Sequence, residues 1–344
     1  MKSTDEIGFA ILGAGMIAEF HARAIAENAG SGAQLIAVGH YRPERFAEIE
    51  QSFGVPCLTE NELLENPDVD VVCICTPSGQ HSAQTIRAAE AGKHVLVEKP
   101  MAVTMADADA MITACQKQHV NLGVIFPNRT KPLFQDVFRA VKSGLLGELT
   151  LGLVTLPFYR SQAYYDQAAW RGTWALDGGG VLMNQGIHQI DLLTWFMGDP
   201  VEIRATARTL HREIEVEDTV SASLLFGNGS VAAVNGTTTT PPGFPPRIEV
   251  YGTRGGIQLE GETAIRWTID GEEKLPEAML TGKIQGSAGS AGDPRKITAA
   301  GHTALVADFI ESLREGRPPM IDGSEGKRSL AVILGIYQAE GLTG

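Results

Sequence analysis

The start of the chain most constrains its fold. Residues 7–12, Ile-Gly-Phe-Ala-Ile-Leu, form an apolar run, the pattern of a strand buried on both faces of a parallel sheet. Gly13-Ala14-Gly15-Met16-Ile17-Ala18 follows at once, and a helical pattern continues through Ala26. A strand, a G-x-G-x-x-A turn and a helix in that order make the dinucleotide fingerprint. Gly13 permits the tight turn, Gly15 lets the backbone approach a pyrophosphate, and Ala18 permits close packing of the helix. The N–H groups at the helix start, around Met16 and Ile17, are left to receive phosphate charge. These residues predict a doubly wound parallel Rossmann sheet that binds NAD or NADP.

Later strands supply more of such a site. The second, 34–38, ends in Gly39-His40-Tyr41-Arg42, with no acid before Glu44. An NAD-preferring unit usually places Asp or Glu here, to accept from the ribose hydroxyls. Without that carboxylate a 2′-phosphate meets no repulsion, and His40 or Arg42 can pair with it. The balance tips toward NADP. The strand 70–75 ends in Thr76-Pro77-Ser78-Gly79-Gln80-His81, ahead of a helix over 82–91. That loop should face the cofactor, with Thr76, Pro77 and His81 on the cofactor side. Residues 94–97 read as another strand, with Glu98-Lys99-Pro100 at its carboxyl end. Ligands bind at the carboxyl ends of such strands, so Glu98 and Lys99 offer two ionisable groups to a ligand. Partial desolvation by the apolar strand behind it would lower the Lys99 pKa, making it a useful proton donor and acceptor. A helix over 105–117 and a strand over 120–126 close a first domain, 1–126.

Residues 127–344 read as a second domain. A helix over 131–143 precedes strand-like segments at 149–156, 201–210, 219–225, 230–239, 247–251 and 256–260. Asn228-Gly229 between alternating segments is a hairpin signal, so this sheet is expected to be largely antiparallel. Residues 286–292, rich in Gly, Ser and Ala, read as a flexible loop. Helices over 302–314 and 324–339 end the chain, and the last of them has the option of packing back on the first domain. The formal net charge of −13 argues against nucleic acid and anionic membrane as partners. No apolar run has the length of a membrane span, and the polar first residues give no signal-peptide pattern. Cys57, Cys73, Cys75 and Cys115 read as reduced core residues rather than metal ligands, as expected of a cytoplasmic protein.

A second concentration of chemistry runs from Trp170-Arg171 through Gly178-Gly179-Gly180 to Asn184, His188 and Asp191. An amphipathic helix here carries its apolar face at Ile187, Ile190, Leu193 and Phe196. Spacings of four and three place Asn184, His188 and Asp191 on one face. A histidine held between an amide and a carboxylate has a fixed orientation and raised basicity.

Together these motifs resemble the Gfo/Idh/MocA oxidoreductases, the glucose–fructose oxidoreductase and inositol dehydrogenase family. The resemblance rests on Gly13-x-Gly15-x-x-Ala18, Thr76-Pro77 with His81, Glu98-Lys99-Pro100, and Gly178 to Gly180 with Asn184, His188 and Asp191. It implies an α/β chain: an N-terminal Rossmann domain, then a C-terminal α/β domain whose large, open, mostly antiparallel sheet commonly builds a homodimer or homotetramer. It also implies hydride transfer between NAD(P) and a hydroxyl or carbonyl carbon of a sugar, sugar derivative or cyclic polyol. The catalytic set carried over is Lys99, position 184 and His188. Position 184 is Asn rather than the usual Asp, which removes one possible charge relay. Tyr159, Trp170 and Arg171 resemble substrate contacts of sugar-acting members, and Arg129 and Asp191 are counted with them. In this reading Glu98 orients the nicotinamide ribose, and Lys99 and His188, from opposite domains, meet at the nicotinamide. A cofactor-binding sensor on the same fold and a redox-assisted glycosidase are the alternatives.

Overall fold

The computed structural model describes residues 6–274 and 299–342. The flexible loop expected at 286–292 lies outside these residues. The described chain divides into two compact units. The first runs to Pro127 and takes in residues from 299 to Lys327; the second runs from Asn128 to 274 and from Arg328 to 342.

The first unit is built on six parallel strands: β1 (Ile7–Leu12), β2 (Ala33–Gly39), β3 (Cys57–Leu58), β4 (Val71–Ile74), β5 (His94–Val97) and β6 (Leu122–Val124). Their spatial order is β3-β2-β1-β4-β5-β6. This is the doubly wound order, and its reversal between β1 and β4 makes the crevice where dinucleotides bind. The helices include α1 (Met16–Glu27), α2 (Phe46–Phe53), α3 (Glu60–Glu65), α4 (His81–Glu90) and α5 (Met105–Lys117). Strands β1, β4 and β5 are apolar because both faces are covered; Phe9, Ile11, Val72 and Val97 are fully buried. The four cysteines are free and buried.

Here the structure differs from the expected boundary. The penultimate helix returns to this unit, and so does the first turn of the last, where Lys327 pairs with Asp109 at 2.7 Å. In the penultimate helix the His302 ring lies 5.7 Å from Phe20 on α1, and the Asn28 side chain donates to the Thr303 carbonyl at 3.0 Å. Val124 also donates to the Ile321 carbonyl, extending the sheet edge.

The second unit carries α6 (Pro132–Lys142), β7 (Leu149–Pro157), α7 (Gln162–Asp166) and α8 (Ile187–Met197). Six strands follow in hairpin-like succession: β8 (Pro200–Arg208), β9 (Thr219–Phe226), β10 (Val231–Thr237), β11 (Arg247–Gly252), β12 (Gly255–Glu260) and β13 (Thr263–Ile269), and a short β14 (Glu272–Glu273) ends the sheet. The order is β14-β13-β12-β11-β7-β10-β9-β8, antiparallel at every pair except β7–β10. Strands β13 and β14 were not foreseen. Alternate residues of β9 are buried and exposed, so one sheet face is covered and the other open. The covered face meets α8: a Cβ on Gly152 of β7 would lie 2.3 Å from Met197 Sδ. After Ala300–Glu315 (α9), Gly323–Ala339 (α10) ends the described chain's helices.

Candidate active site

In the first unit the fingerprint residues make a cradle. Gly13 has φ +103°, and a Cβ there would lie 2.7 Å from the Cys75 carbonyl oxygen, so both torsion and space demand glycine. Gly15 is the opposite case: a Cβ there would meet nothing within 4 Å, leaving open room directly before α1. The first N–H groups of α1 have no side-chain cap, as a phosphate site requires. A cleft beside it is lined by Leu12, Gly13, Gly39, His40, Tyr41, Glu60, Thr76, Gln80 and Gln84. These residues fit a dinucleotide. Glu60 and Gln84 escaped the sequence reading, because they belong to helices that only the fold brings to the end of β2, while Gln80 lies in the loop expected to face the cofactor. Arg42 is exposed, its guanidinium 5.0 Å over the Tyr41 ring, and His40 Nδ1 accepts the Arg42 N–H at 3.1 Å.

Two residues assigned to the cofactor are instead committed inside the unit. His81 is 1% exposed, with Nδ1 2.8 Å from the Pro100 carbonyl and Nε2 2.8 Å from the Thr76 carbonyl. It braces the loops after β4 and β5 and leaves neither ring nitrogen for a ligand. Burial pulls its pKa down, while the two carbonyls favour the doubly protonated ring. Glu98 is also buried. Its Oε1 accepts from His21 Nε2 at 3.0 Å and His302 Nε2 at 3.2 Å, and its Oε2 accepts the Lys99 N–H at 3.2 Å. Burial would raise the Glu98 pKa, but the hydrogen bonds from the two histidines hold it well below the usual carboxylate range. Glu98 thus fixes the backbone at Lys99. The donor atoms of His21, Glu98 and His302 lie within 4.8 Å of one another, so a metal there would displace these hydrogen bonds. Lys99 itself stays half-exposed at the end of β5.

In the second unit Glu217 and Tyr337 pack against the triple glycine. Glu217 Oε2 accepts the Gly180 N–H at 2.8 Å; Oε1 accepts from Leu182 N–H at 3.0 Å and from Tyr337 Oη at 2.9 Å. A Cβ on Gly180 would lie 1.7 Å from the Glu217 carbonyl oxygen. Burial pushes the Glu217 pKa up to about 7 against those donors. The glycines signalled a close approach; neither Glu217 nor Tyr337 was legible as the partner.

Beyond Gly180, Val181–Gly186 forms a π-helix, and α8 follows. The expected single amphipathic helix is therefore not what forms. A π-turn spends more residues per turn than an α-helix, so spacings of four and three no longer mark one face. Between 181 and 194 every residue is buried except Asn184 and His188, which are half-exposed. Asn184 Nδ2 donates to Asp177 Oδ1 at 2.7 Å, and Asp177 Oδ2 accepts the Gly172 N–H at 2.9 Å. Asp191 parts from the other two. It is wholly buried and ion-paired to Arg129, whose Nε and Nη2 donate to the carboxylate at 2.7–3.2 Å. The expected substrate contacts Arg129 and Asp191 are thus turned inward, with Arg129 also 5.4 Å over the Trp195 ring. Tyr159, Trp170 and Arg171 remain half-exposed.

The sequence matches two family patterns: an oxidoreductase family's NAD-binding Rossmann fold over residues 7–126, and the GFO/IDH/MocA C-terminal domain over residues 134–258. Among curated proteins, the myo-inositol 2-dehydrogenase of Thermotoga maritima is 28% identical over 334 residues, covering 94% of this chain and 93% of that one. Among solved structures, the WlbA dehydrogenase from Bordetella pertussis, in complex with NADH and UDP-GlcNAcA, superimposes with a TM-score of 0.86 at 32% identity, covering 98% of this chain and 97% of its own. The aldose-aldose oxidoreductase from Caulobacter crescentus, complexed with glycerol, gives a TM-score of 0.79 at 28% identity over 98% of both chains.

Proposed function

The chain belongs to the Gfo/Idh/MocA oxidoreductases, and we propose that it moves hydride between a nicotinamide cofactor and a CH–OH carbon of a sugar, sugar derivative or cyclic polyol. The observation that carries this reading is the pair Asn184 and His188, the two half-exposed residues of an otherwise buried segment anchored at Gly180. Relatives named as inositol and D-apiose dehydrogenases support the substrate class. The N–H groups from Gly13 to Ile17 would hold the pyrophosphate. When bound, the nicotinamide supplies the hydride donor or acceptor. Lys99 Nζ or the His188 ring takes the hydroxyl proton during oxidation, and the Lys99 charge stabilises the developing alkoxide. Asn184, fixed by Asp177, orients the hydroxyl.

A panel of sugars, cyclic polyols and nucleotide sugars, followed by cofactor absorbance, tests the reading. Net change in NAD(P)H with at least one member is expected. Bound cofactor with no turnover across the panel would favour a sensor, and glycoside cleavage without net cofactor change would favour a redox-assisted glycosidase.

On the cofactor we propose a preference for NADPH. The end of β2 carries no carboxylate, and exposed Arg42 is free to swing to a 2′-phosphate. Tighter binding of NADPH than NADH is expected in fluorescence titrations, with Arg42→Ala weakening NADPH selectively. Equal losses for both cofactors, or tighter NADH in the parent, would refute it. A second reading, NADH, is favoured by Glu60, which lines the same cleft while paired to Arg87 at 2.7 Å. Under that reading Glu60→Gln should weaken NADH selectively.

We also propose a homo-oligomer. The open face of the second unit's sheet exposes Val201 (68%), Leu225 (36%), Val231 (46%) and Ile265 (48%). Covering such residues in a closed, symmetric assembly removes apolar surface from water. Light scattering should give a multiple of the 36.7 kDa chain mass at micromolar concentration; a monomer there rejects the idea.

A further inference from the structure

Beyond β7, the second unit gathers three arginines and three aromatic rings. Tyr164 lies beneath two guanidinium groups, Arg171 at 4.3 Å and Arg160 at 5.4 Å from its ring centroid. Arg171 also lies 4.6 Å over Trp170 and donates to the Tyr164 hydroxyl. Arg212 comes from the turn after β8. It lies 5.6 Å over Tyr159, and its Nε donates to the Arg160 carbonyl at 2.7 Å. The turn that presents Arg212 is itself pinned, because buried Asp218 accepts the N–H groups of Leu210, His211 and Arg212 at 2.8–3.0 Å.

Gathering like charges is unfavourable unless an anion joins them. Among the described residues no carboxylate pairs with Arg171 or Arg212, in a chain whose net charge is −13. Three acids nearby are otherwise engaged: Asp166 accepts from Gln162, Glu215 from the Trp174 N–H, and Asp177 from Gly172 and Asn184; Glu213, next to Arg212, is exposed. Arg171 Nε is buried and has no hydrogen-bond partner, an unmet donor that a ligand would satisfy. The aromatic faces hold the guanidinium groups in place, so little side-chain freedom remains to be lost on binding. Asp177 ties the cluster to the candidate chemistry, one oxygen on the amide next to Arg171 and the other on Asn184.

We propose that this cluster is an anion subsite, and that the sugar substrate carries a carboxylate or phosphate read by Arg171 and Arg212. The proposal rests on the reading of Asn184 and His188 as the groups facing the reacting sugar. A planar oxyanion suits the fork of a guanidinium, and a ring carboxylate and a diphosphate share that chemistry.

Calorimetric titration of the full chain, saturated with NAD⁺ or NADP⁺, distinguishes the cases. The ligands are glucuronic acid, UDP-glucose, UDP-glucuronic acid, glucose and myo-inositol. At least one charged ligand should bind about 10-fold or more tighter than glucose and inositol. Arg171→Met and Arg212→Met should each erase that preference while cofactor affinity is kept. Raising the salt should weaken the charged ligand and leave glucose unaffected, a readout independent of any variant. Tight UDP-glucose with weak glucuronic acid identifies the diphosphate as the recognised group; the reverse identifies the carboxylate. Equal affinity for charged and neutral sugars, no binding of any charged ligand, or a preference that survives both substitutions overturns the subsite. Turnover of a neutral polyol as fast as any charged sugar also overturns it and leaves hydride transfer intact. Failure to bind either dinucleotide would count instead against the oxidoreductase reading.

Discussion

Replacing Lys99 or His188 by alanine should lower turnover by roughly 10²–10⁴, the usual worth of a positioned proton-transfer group. Dinucleotide affinity should be nearly unchanged, because the phosphates are proposed to sit on the turn from Gly13 to Ile17. Each residue is half-exposed and has a fixed base. The Lys99 N–H is held by Glu98, itself held by His21 and His302. His188 projects from a segment whose neighbours are buried and whose first turn is anchored by Glu217. If the two act on one proton, Lys99→Ala combined with His188→Ala should cost much less than the product of the single effects. Asn184→Ala should cost less than either, since an amide orients a hydroxyl but cannot take its proton. Parental turnover by both single variants on a confirmed substrate would remove these residues from the chemistry.

Arg129→Met should destabilise the protein by about 3–5 kcal/mol, the cost of leaving one member of a buried ion pair without its partner. Arg129 and Asp191 side chains are 3% and 0% exposed, and the guanidinium meets the carboxylate through two nitrogens. The substitution removes charge and three of those hydrogen bonds while keeping much of the volume. The urea midpoint of the second unit should fall with little change in slope. A loss below about 1 kcal/mol, joined to a large rise in sugar KM, would restore the role in substrate binding that the sequence suggested for this pair.

The pH behaviour of the two carboxylates follows the same logic. Glu98, held low by donors, supports the folded state above the ordinary carboxylate pKa, and that support is lost in acid as pH falls through its lowered value. Glu217, raised to about 7, behaves in the opposite sense, and its ionisation near neutrality opposes folding.

The first unit was legible because its signals are local. Apolar runs, the glycine turn and the helix that follows are set by steric rules acting over a few residues, and they located β1, α1 and the ends of β4 and β5 closely. The Asn228-Gly229 turn likewise marked the β9–β10 hairpin. Candidate residues at strand ends were visible because strand ends in such a sheet face one edge. What those side chains touch was not visible. His81 and Glu98 were read toward the cofactor, yet their partners are backbone carbonyls of two loops and histidines far away in sequence.

Sequence alone determined the Rossmann unit and the family, and it singled out Lys99, Asn184 and His188 as candidates, since each motif rests on residue type at short spacing. Tertiary structure decided which polar groups are spent on one another. It turned Asp191 inward to Arg129, set Glu217 beneath the triple glycine, returned α9 to the first unit, and gathered Arg160, Arg171 and Arg212. A buried charge must find its partner wherever the packed chain brings one, and no local pattern records where that will be.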